Sequence, residues 1–295
     1  MKSESPTLIQ ELIHTLCHHK GALCGLLILT FFLLCVLLAP WISPYDPTQI
    51  HNQMQNIPPL WMQNSLPADA HRFLLGTDDV GRDTLSRLIY GARTSMGIGL
   101  LVVVLSALVG ITFGLTAGYF GGVWDNLVEG LVNFLLCLPS LLLAIVVVSL
   151  LGPGLFNAIL AVTLISLPGF IRLTKALVIQ EKHKNYVLLA QTYGAGPMRI
   201  IFWHILPNTL GPLIVQATLT FSSGILEVAA LGFLGLGAQP PSPEWGTMLA
   251  DARAYLESAP WAVTLPGLCI LLVVLSFNLI GDVLRDFFDP KLKQN

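Results

Sequence analysis

Long apolar stretches, almost free of charged residues, run through most of this sequence. A helix needs about 20 consecutive apolar residues to cross the roughly 30 Å hydrocarbon core of a bilayer. One stretch is about twice that length, and Gly152-Pro153-Gly154 divides it, because proline between glycines marks a tight turn. The stretches then give spans at 21–42, 94–119, 128–151, 155–171, 209–231 and 262–280. We therefore predict an all-α integral membrane protein with about six transmembrane helices.

Composition agrees with lipid surroundings and excludes several functions. Hydrophobic residues make up 54% of the chain and charged residues 11%, against about 25% charged residues in soluble domains. The net charge of -2 gives no long-range field for nucleic acid, so no nucleic-acid partner is predicted. The sequence has no GxxxxGK[ST], HExxH or GxSxG pattern and no metal-spaced His/Cys cluster. We predict a non-catalytic subunit with no cofactor and no metal, so any ATP hydrolysis takes place in another protein.

The placement of Lys and Arg predicts the orientation of the chain. The first span follows Lys20 and lacks a small-residue cleavage pattern at its end, so it is predicted to be a retained helix rather than a signal peptide. With the N-terminus inside, ten Lys and Arg residues face the cytoplasm and five face outward, which favours an N-in, C-in topology. The predicted division is a cytoplasmic segment 1–20, a helix 21–42, a periplasmic loop 43–93, a five-helix core 94–281 and a cytoplasmic tail 282–295. Within the core, 172–208 is predicted to be a cytoplasmic loop and 235–261 a periplasmic loop.

Small and ionisable residues inside the spans are candidates for packing or transport. Gly110, Gly114 and Gly118 recur every four residues, which places them on one helix face where another helix can approach closely. Packing within this chain and packing against a partner are equally compatible with that pattern. Glu227 lies near the outer end of the fifth span, where a carboxylate is costly without a function or a partner. It is predicted either to line or gate a pathway or to hydrogen-bond a neighbouring helix or the outer loop.

The cytoplasmic loop carries the most informative pattern. Residues 186–194 predict a short amphipathic helix that stops at Gly194, because glycine readily takes the left-handed conformation that ends helices. Pro207 then opens the next span, at a position where its missing N–H costs nothing. A helix this short fits either a groove on a partner protein or the surface of the membrane.

The same loop resembles the signature by which permeases of binding-protein-dependent ABC importers engage their ATPases. That signature is Glu-Ala-Ala, three residues, Gly, and then about ten residues to Leu-Pro. Ala190, Gly194 and Leu206-Pro207 match it, whereas Leu188 and Leu189 replace the Glu and the first Ala.

Further blocks resemble the dipeptide, oligopeptide and nickel permeases, and specifically their second or "C" subunit. They are 75–93 (LGTDDVGRDTLSRLIYGAR), 230–237 (ALGFLGLG), the PxPEWG pattern at 241–246, and 281–290. The resemblance extends over roughly residues 21–293 and is greatest to the dipeptide permeases.

The resemblance implies a type I ABC importer permease fold and a heteromeric assembly. Its expected partners are a second homologous permease, two cytoplasmic ATPases and a periplasmic substrate-binding protein, in a bacterial inner membrane. The loop 172–208 is then expected to couple to the ATPases through Tyr186, Ala190, Gly194, Leu206 and Pro207, giving import of dipeptides or short oligopeptides by alternating access. The alternatives within the family are an uptake system linked to antimicrobial-peptide resistance and a nickel importer. A membrane-embedded enzyme or a self-sufficient channel is disfavoured by the lack of a catalytic constellation and of matched internal repeats.

Overall fold

The computed structural model describes residue 15, residues 18–62 and residues 73–288, and these residues are organised mainly in helices. Parts of the predicted end segments 1–20 and 282–295 and of the loop 43–93 lie outside the described residues. The principal helices are α1 (Lys20–Ile42), α2 (Thr84–Phe120), α3 (Gly122–Cys137), α4 (Ser140–Leu151), α5 (Leu155–Lys182), α6 (Asn185–Thr192), α7 (Leu206–Phe233), α8 (Trp245–Ala252) and α9 (Pro260–Phe288). A helical turn at Pro197–Arg199 and a π-helical segment at Ile200–Ile205 lead into α7, and 3₁₀ turns lie at Leu60–Met62 and Arg253–Tyr255.

The long helices confirm an all-α membrane protein with five or six spans. In the described part of the chain, α1, α2, α5, α9 and the continuous helix Pro197–Phe233 that contains α7 are each long and apolar enough to cross a bilayer. Helices α3 and α4, with 16 and 12 residues, are each too short to cross a bilayer and meet the same test only together, and the chain bends by 96° between them.

The second span begins earlier than predicted, at Thr84 instead of residue 94. The carboxylate of Asp83 caps this helix by accepting a hydrogen bond of 2.8 Å from the backbone N–H of Ser86. Charge at Arg87 and Arg93 limits only the lipid-embedded part of a helix and does not end the helix itself. The loop predicted at 43–93 therefore ends at residue 83.

The predicted span 128–151 is not one continuous helix, because the chain breaks between Cys137 and Ser140. Pro139 has no N–H to continue the helical hydrogen bonds. Leu138 is extended, with φ −99° and ψ 141°, as the residue before a proline prefers. The signal was present in the sequence as Pro139. The α5 helix also differs from its prediction, since it runs to Lys182 and not to residue 171 and makes much of the predicted loop 172–208 helical.

Helices α2 and α5 form the most extensive helix pair, and they run parallel to each other. The three glycines of α2, spaced four apart, face three α5 residues with the same spacing. A Cβ atom added at Gly110, Gly114 or Gly118 would lie 2.5, 2.6 or 2.9 Å from the Cβ atoms of Phe170, Thr174 and Val178, respectively. The bare glycine surface thus lets two helices of this one chain approach closely, which is the intrasubunit alternative of the prediction.

The bundle has two ends that differ in construction. At one end, the N–H of Gly154 donates to the carbonyl of Leu236 over 3.2 Å, which brings the α4–α5 turn beside the segment after α7. We call this end, with residues 43–62, 73–83 and 234–259, the loop face. At the other end, Lys182 Nζ donates to the carbonyl oxygen of Tyr119 over 2.6 Å. We call this end, with residues 183–205, the short-helix face.

Candidate functional site

Helix α6 on the short-helix face has one side turned into the protein and one side turned out. Val187 is completely buried, and it packs in a cluster with Leu115, Val178, Ile200, Ile201 and Ile205. On the other side Leu188 and Leu189 are exposed. One buried residue in a helix of eight residues is a small anchor, so the geometry of α6 depends on the hydrogen bonds at its ends.

The end of α6 has the hydrogen bonds of a Schellman motif. The N–H of Ala195 donates to the carbonyl of Ala190 over 3.0 Å, and the N–H of Gly194 donates to the carbonyl of Gln191 over 2.9 Å. Gly194 has φ +80°, a conformation that favours glycine, and a Cβ atom added there would meet nothing within 4 Å. Gly194 therefore ends the helix through its backbone conformation, and the space next to its Cα atom is unoccupied.

The chain from α6 into α7 contains a π-helical segment at Ile200–Ile205. The N–H of Leu206 donates to the carbonyl of Ile201, which is the five-residue spacing of a π-helix. Pro207, next in the chain, has no N–H to offer and its ring would crowd the carbonyl of Trp203 in a regular α-helix. The wider turn relieves that crowding, so Leu206 and Pro207 continue into the span without a break.

Large apolar side chains stand open to the surroundings on the short-helix face. Tyr193 is 87% exposed, Trp203 78% and Leu189 57%. Leu188, Met198 and Phe202 are also exposed. Apolar surface of this kind marks a site of interaction with another protein or a membrane. We call these six residues the apolar docking set.

Tyr186, on the inner side of α6, joins this helix to the end of α5. Its hydroxyl donates to Glu181 Oε2 over 2.5 Å, and Lys184 Nζ lies 2.5 Å from Glu181 Oε1. Burial and the neighbouring Glu181 carboxylate raise the pKa of Tyr186 to about 12, so the hydroxyl keeps its proton and remains a donor. The side chain of Asn208, at the start of α7, opposes that rise in pKa. Tyr186 thus faces away from the docking set and joins α6 to α5.

Glu227 is half-buried in α7 and lies beside the break between α3 and α4. The side chain of Ser140, the first residue of α4, lies close to it. Glu227 is therefore next to a neighbouring helix. Both predicted roles, a hydrogen bond to a neighbour and the lining or gating of a pathway, stay predictions.

The loop face holds buried charges in fixed positions. Arg82 Nε lies 2.6 Å from Asp78 Oδ2, and Arg87 Nε lies 3.3 Å from the same oxygen. Arg87 is 1% exposed, and its Nη1 also reaches the carbonyls of Pro47 and Pro241 at 3.4 Å. Asp251 lies 3.7 Å from Arg82 Nη2, so the ion pairs link the first loop to α8.

Glu244 is the second buried anchor of the loop face. Its carboxylate caps α8 by accepting hydrogen bonds of 2.8 Å from the backbone N–H groups of Gly246 and Thr247. It also accepts a hydrogen bond of 3.1 Å from Ser95 Oγ on α2. Burial raises the pKa of this carboxyl, and the hydrogen bonds oppose that rise. Sequence reasoning placed Glu244 only within a matching block, because a cap is not distinguishable from a surface carboxylate by residue type.

The described residues form a membrane-type helical bundle that exposes an apolar surface at one end. The family model described as "Binding-protein-dependent transport system inner membrane component" matches residues 110–294, and the "N-terminal TM domain of oligopeptide transport permease C" matches residues 7–59. The chain belongs to the family of binding-protein-dependent transport system inner membrane components. It is a multi-pass inner-membrane protein and a non-catalytic subunit.

Named relatives match the chain along almost its whole length. The di/tripeptide transport system permease protein DppC of Pseudomonas aeruginosa is 52% identical over 98% of this chain and 94% of its own length. The dipeptide transport system permease protein DppC of Escherichia coli K12 is 54% identical over 98% of this chain and 95% of its own. The glutathione transport system permease protein GsiD of another Escherichia coli strain is 40% identical over 92% and 87%.

A solved structure confirms the fold. A chain of the inward-facing MetNI methionine ABC transporter superposes with a TM-score of 0.55 at 18% sequence identity. The match covers 70% of this chain and 98% of that chain. The predicted type I ABC importer permease fold is thereby confirmed.

Proposed function

We propose that this chain is the transmembrane permease subunit of an ATP-driven importer of dipeptides or short oligopeptides. The observation that carries the proposal is the identity of 52–54%, over 98% of the chain, with permeases named for dipeptide and di/tripeptide transport. These relatives do not favour the alternatives of antimicrobial-peptide resistance or nickel import.

The proposed assembly pairs this chain with a second homologous permease around one pathway. Two cytoplasmic ATPases bind the short-helix face, and a periplasmic substrate-binding protein delivers peptide at the loop face. Supporting this division, the short-helix face exposes the apolar docking set, whereas the loop face fixes its charges by burial. Closure of the ATPases moves α6 and so drives alternating access, because a rigid docking element can rock whole helices.

The first test places a charge on the docking surface. Gly194→Asp adds a carboxylate where an apolar contact is expected, and it strains a left-handed backbone by about 1 kcal/mol. Loss of a central docking contact commonly costs about 2 kcal/mol or more, roughly thirtyfold in affinity. The variant should insert and bind the partner permease but lose both the ATPases and peptide uptake, as measured by copurification and radiolabelled dipeptide import.

The chain supplies a matched control at the opposite end. Gly235 has φ +78° and, like Gly194, has nothing within 4 Å of an added Cβ atom. It also ends its helix in the same way, since the N–H of Leu236 donates to the carbonyl of Leu231 and the N–H of Gly235 donates to the carbonyl of Gly232, both over 2.9 Å. Gly235→Asp thus adds a comparable strain and the same charge on the loop face, and it should retain the ATPases. Normal uptake by Gly194→Asp with the ATPases still bound would contradict the docking role of α6. It would favour the alternative interpretation, in which α6 lies on the membrane surface.

A second test concerns the topology, with both termini and residues 172–208 in the cytoplasm. In a variant without cysteines, Val80→Cys on the loop face and Tyr193→Cys on the short-helix face place single thiols at exposed positions. A membrane-impermeant maleimide should label position 80 from the periplasm and position 193 only from the cytoplasm. The reverse pattern would overturn the N-in, C-in orientation.

A further inference from the structure

The connection between α6 and α5 is short and depends on few side chains. Only His183 and Lys184 separate the two helices along the chain. Val187 anchors α6 in the apolar cluster, but such packing is not directional. A hydrogen bond fixes both distance and direction. The bond from Tyr186 to Glu181 therefore adds a directional contact from α6 itself to the backbone bond of 3.0 Å that the N–H of Lys184 donates to the Glu181 carbonyl.

Glu181 is well suited to this position. It is 7% exposed and belongs to the last turn of α5, and each of its carboxylate oxygens has a partner. Oε2 accepts from the Tyr186 hydroxyl, and Oε1 pairs with Lys184 Nζ, both at 2.5 Å. A carboxylate acceptor makes each of these bonds charge-assisted, which strengthens them over neutral ones.

The same turn of α5 is joined directly to α2. Lys182 Nζ donates to the carbonyl oxygen of Tyr119 over 2.6 Å and lies 5.2 Å from the centre of its ring. From there the glycine contacts at 110, 114 and 118 hold α2 against α5. Because these contacts are too close to slide past one another, α2 and α5 respond to a displacement as one body.

We infer that Glu181 and Tyr186 form the joint that carries movement of α6 into the α2–α5 pair, and that both act as positioning residues. The inference rests on the proposed function, since it specifies how docked ATPases move the spans. Tyr186, expected from the resemblance to belong to the coupling loop, then serves the transmission of movement and not the contact with the ATPases.

The test measures coupling in the full complex. The chain is reconstituted in proteoliposomes with its partner permease, ATPases and binding protein, and dipeptide import is divided by ATP hydrolysed. Tyr186→Phe keeps the ring and removes the hydroxyl. It should retain the ATPases and ATP turnover while import per ATP falls about tenfold, the order expected for one lost charge-assisted hydrogen bond.

Variants of Glu181 distinguish the effect of losing the hydrogen bond from the effect of losing side-chain packing. Glu181→Ala should uncouple import as strongly as Tyr186→Phe. Glu181→Gln keeps an amide oxygen that accepts from the Tyr186 hydroxyl, so it should restore at least half of the import per ATP. Tyr90→Phe, which removes the same phenolic hydroxyl at the loop-face end of α2, is the matched control and should couple normally.

Three results would overturn the inference. They are unchanged import per ATP in Tyr186→Phe, loss of the ATPases from that variant, and failure of Glu181→Gln to exceed Glu181→Ala. A failure of the proposed function has a different signature, because the unaltered chain itself would then retain no ATPases.

Hydrogen–deuterium exchange on the purified chain tests the joint without any partner. Tyr186→Phe should speed exchange in residues 185–192 and leave residues 170–178 unchanged, while Tyr90→Phe should alter neither. Unchanged exchange in 185–192 would show that the hydroxyl does not hold α6, and would overturn the inference by itself.

Discussion

The two ends of this molecule differ in the side chains that they bury and in those that they expose. The loop face buries charged groups and pairs them, as Arg87 does with Asp78 and as Glu244 does with the first turn of α8. The short-helix face leaves apolar groups open, with Trp203 and Tyr193 largely exposed. Displacing one member of a buried ion pair is unfavourable, because it leaves the other charge buried without a partner. Exposed apolar surface is unfavourable until something covers it.

The difference lies in the charged groups, because the loop face also exposes large apolar side chains, among them Trp61 at 64% and Leu256 at 57%. The buried charges of the loop face are paired within this chain. Variants at these charges should therefore act on the stability of the chain, and variants of the apolar docking set on its assembly.

The largest expected effect on stability comes from Glu244→Ala. It leaves the N–H groups of Gly246 and Thr247 and the hydroxyl of Ser95 without their acceptor in a buried site. Loss of a cap and of buried hydrogen bonds should destabilise the chain by about 2–4 kcal/mol, seen as a lower thermal midpoint in detergent. Glu257→Ala, an exposed carboxylate of the same face, should shift stability by less than about 0.5 kcal/mol. Equal midpoints for the two variants would contradict the contrast between the faces.

A second prediction tests whether the connection between the ends is rigid. A Cβ atom at Gly114 would come within 2.8 Å of the Ile171 carbonyl oxygen, whereas Gly97 on the same helix has nothing within 4 Å. Gly114→Ala should destabilise the chain by about 1–3 kcal/mol through overpacking. Gly97→Ala should be neutral or stabilising by up to about 1 kcal/mol, because alanine favours the helix. Thermal unfolding of both variants in detergent decides the matter, and a neutral Gly114→Ala would mean that α2 and α5 separate easily.

A smaller and local effect is expected at the end of α6. Gly194→Ala forces a side chain into a backbone with φ +80°, at a cost of about 1 kcal/mol. Gly196 has an ordinary φ of −67°, so Gly196→Ala should cost almost nothing. Amide exchange at Ala195 should accelerate only in the first variant, with both global midpoints unchanged. A lowered global midpoint in Gly194→Ala would show that the short-helix face supports the whole fold.

The smallest effect concerns the pH dependence of the loop face. Burial raises the pKa of Asp79, and the neighbouring Asp78 and Asp251 add to that rise. A raised pKa in the folded state means that the folded chain favours the protonated carboxyl. The stability from this group is present at low pH and is lost as the pH rises through the raised pKa.

Asp79→Asn should therefore flatten the fall in stability that begins near the ordinary Asp pKa of 3.8 and continues as the pH rises through the raised pKa, and it should raise the thermal midpoint above that pH. Asp46→Asn is the matched control, because the hydrogen bonds from Thr48 lower the pKa of that exposed carboxyl instead. A steeper pH dependence in Asp79→Asn than in the unaltered chain would contradict the prediction.

Much of the fold was predictable because a bilayer sets the minimum length of a spanning helix and disfavours charged residues within it. The spans follow from the length of the apolar runs, and the stop at Gly194 follows from the backbone preference of glycine. The start predicted at Pro207 is wrong, because the helix runs continuously from Pro197 to Phe233 through a π-helical segment. The α2 extension was missed because capping by Asp83 depends on the loop that positions it. The break at Pro139 was missed because the apolar run continues through it, although a proline has no N–H for a helical hydrogen bond.

The candidate site was predictable only in part. Gly194 could be assigned from its conformation, but the inward orientation of Tyr186 depends on where the end of α5 lies. Asp78 and Arg82 are only four residues apart, but the pair of Arg82 with Asp251 joins segments that are distant along the chain, and no periodic pattern in the sequence indicates such a pair. Pairing of this kind arises from tertiary structure and is visible only when the elements have been assembled.

The glycine contacts between α2 and α5 also have a consequence for biogenesis. Helix α2 leaves the ribosome well before α5, and α3 and α4 emerge between them. Until α5 arrives, the bare surface at Gly110, Gly114 and Gly118 faces lipid or whatever helix is nearby. The pair must therefore assemble laterally after insertion, from helices already in the bilayer. Substitutions on this surface should deplete the protein from the membrane through quality control before they alter the activity of the molecules that survive.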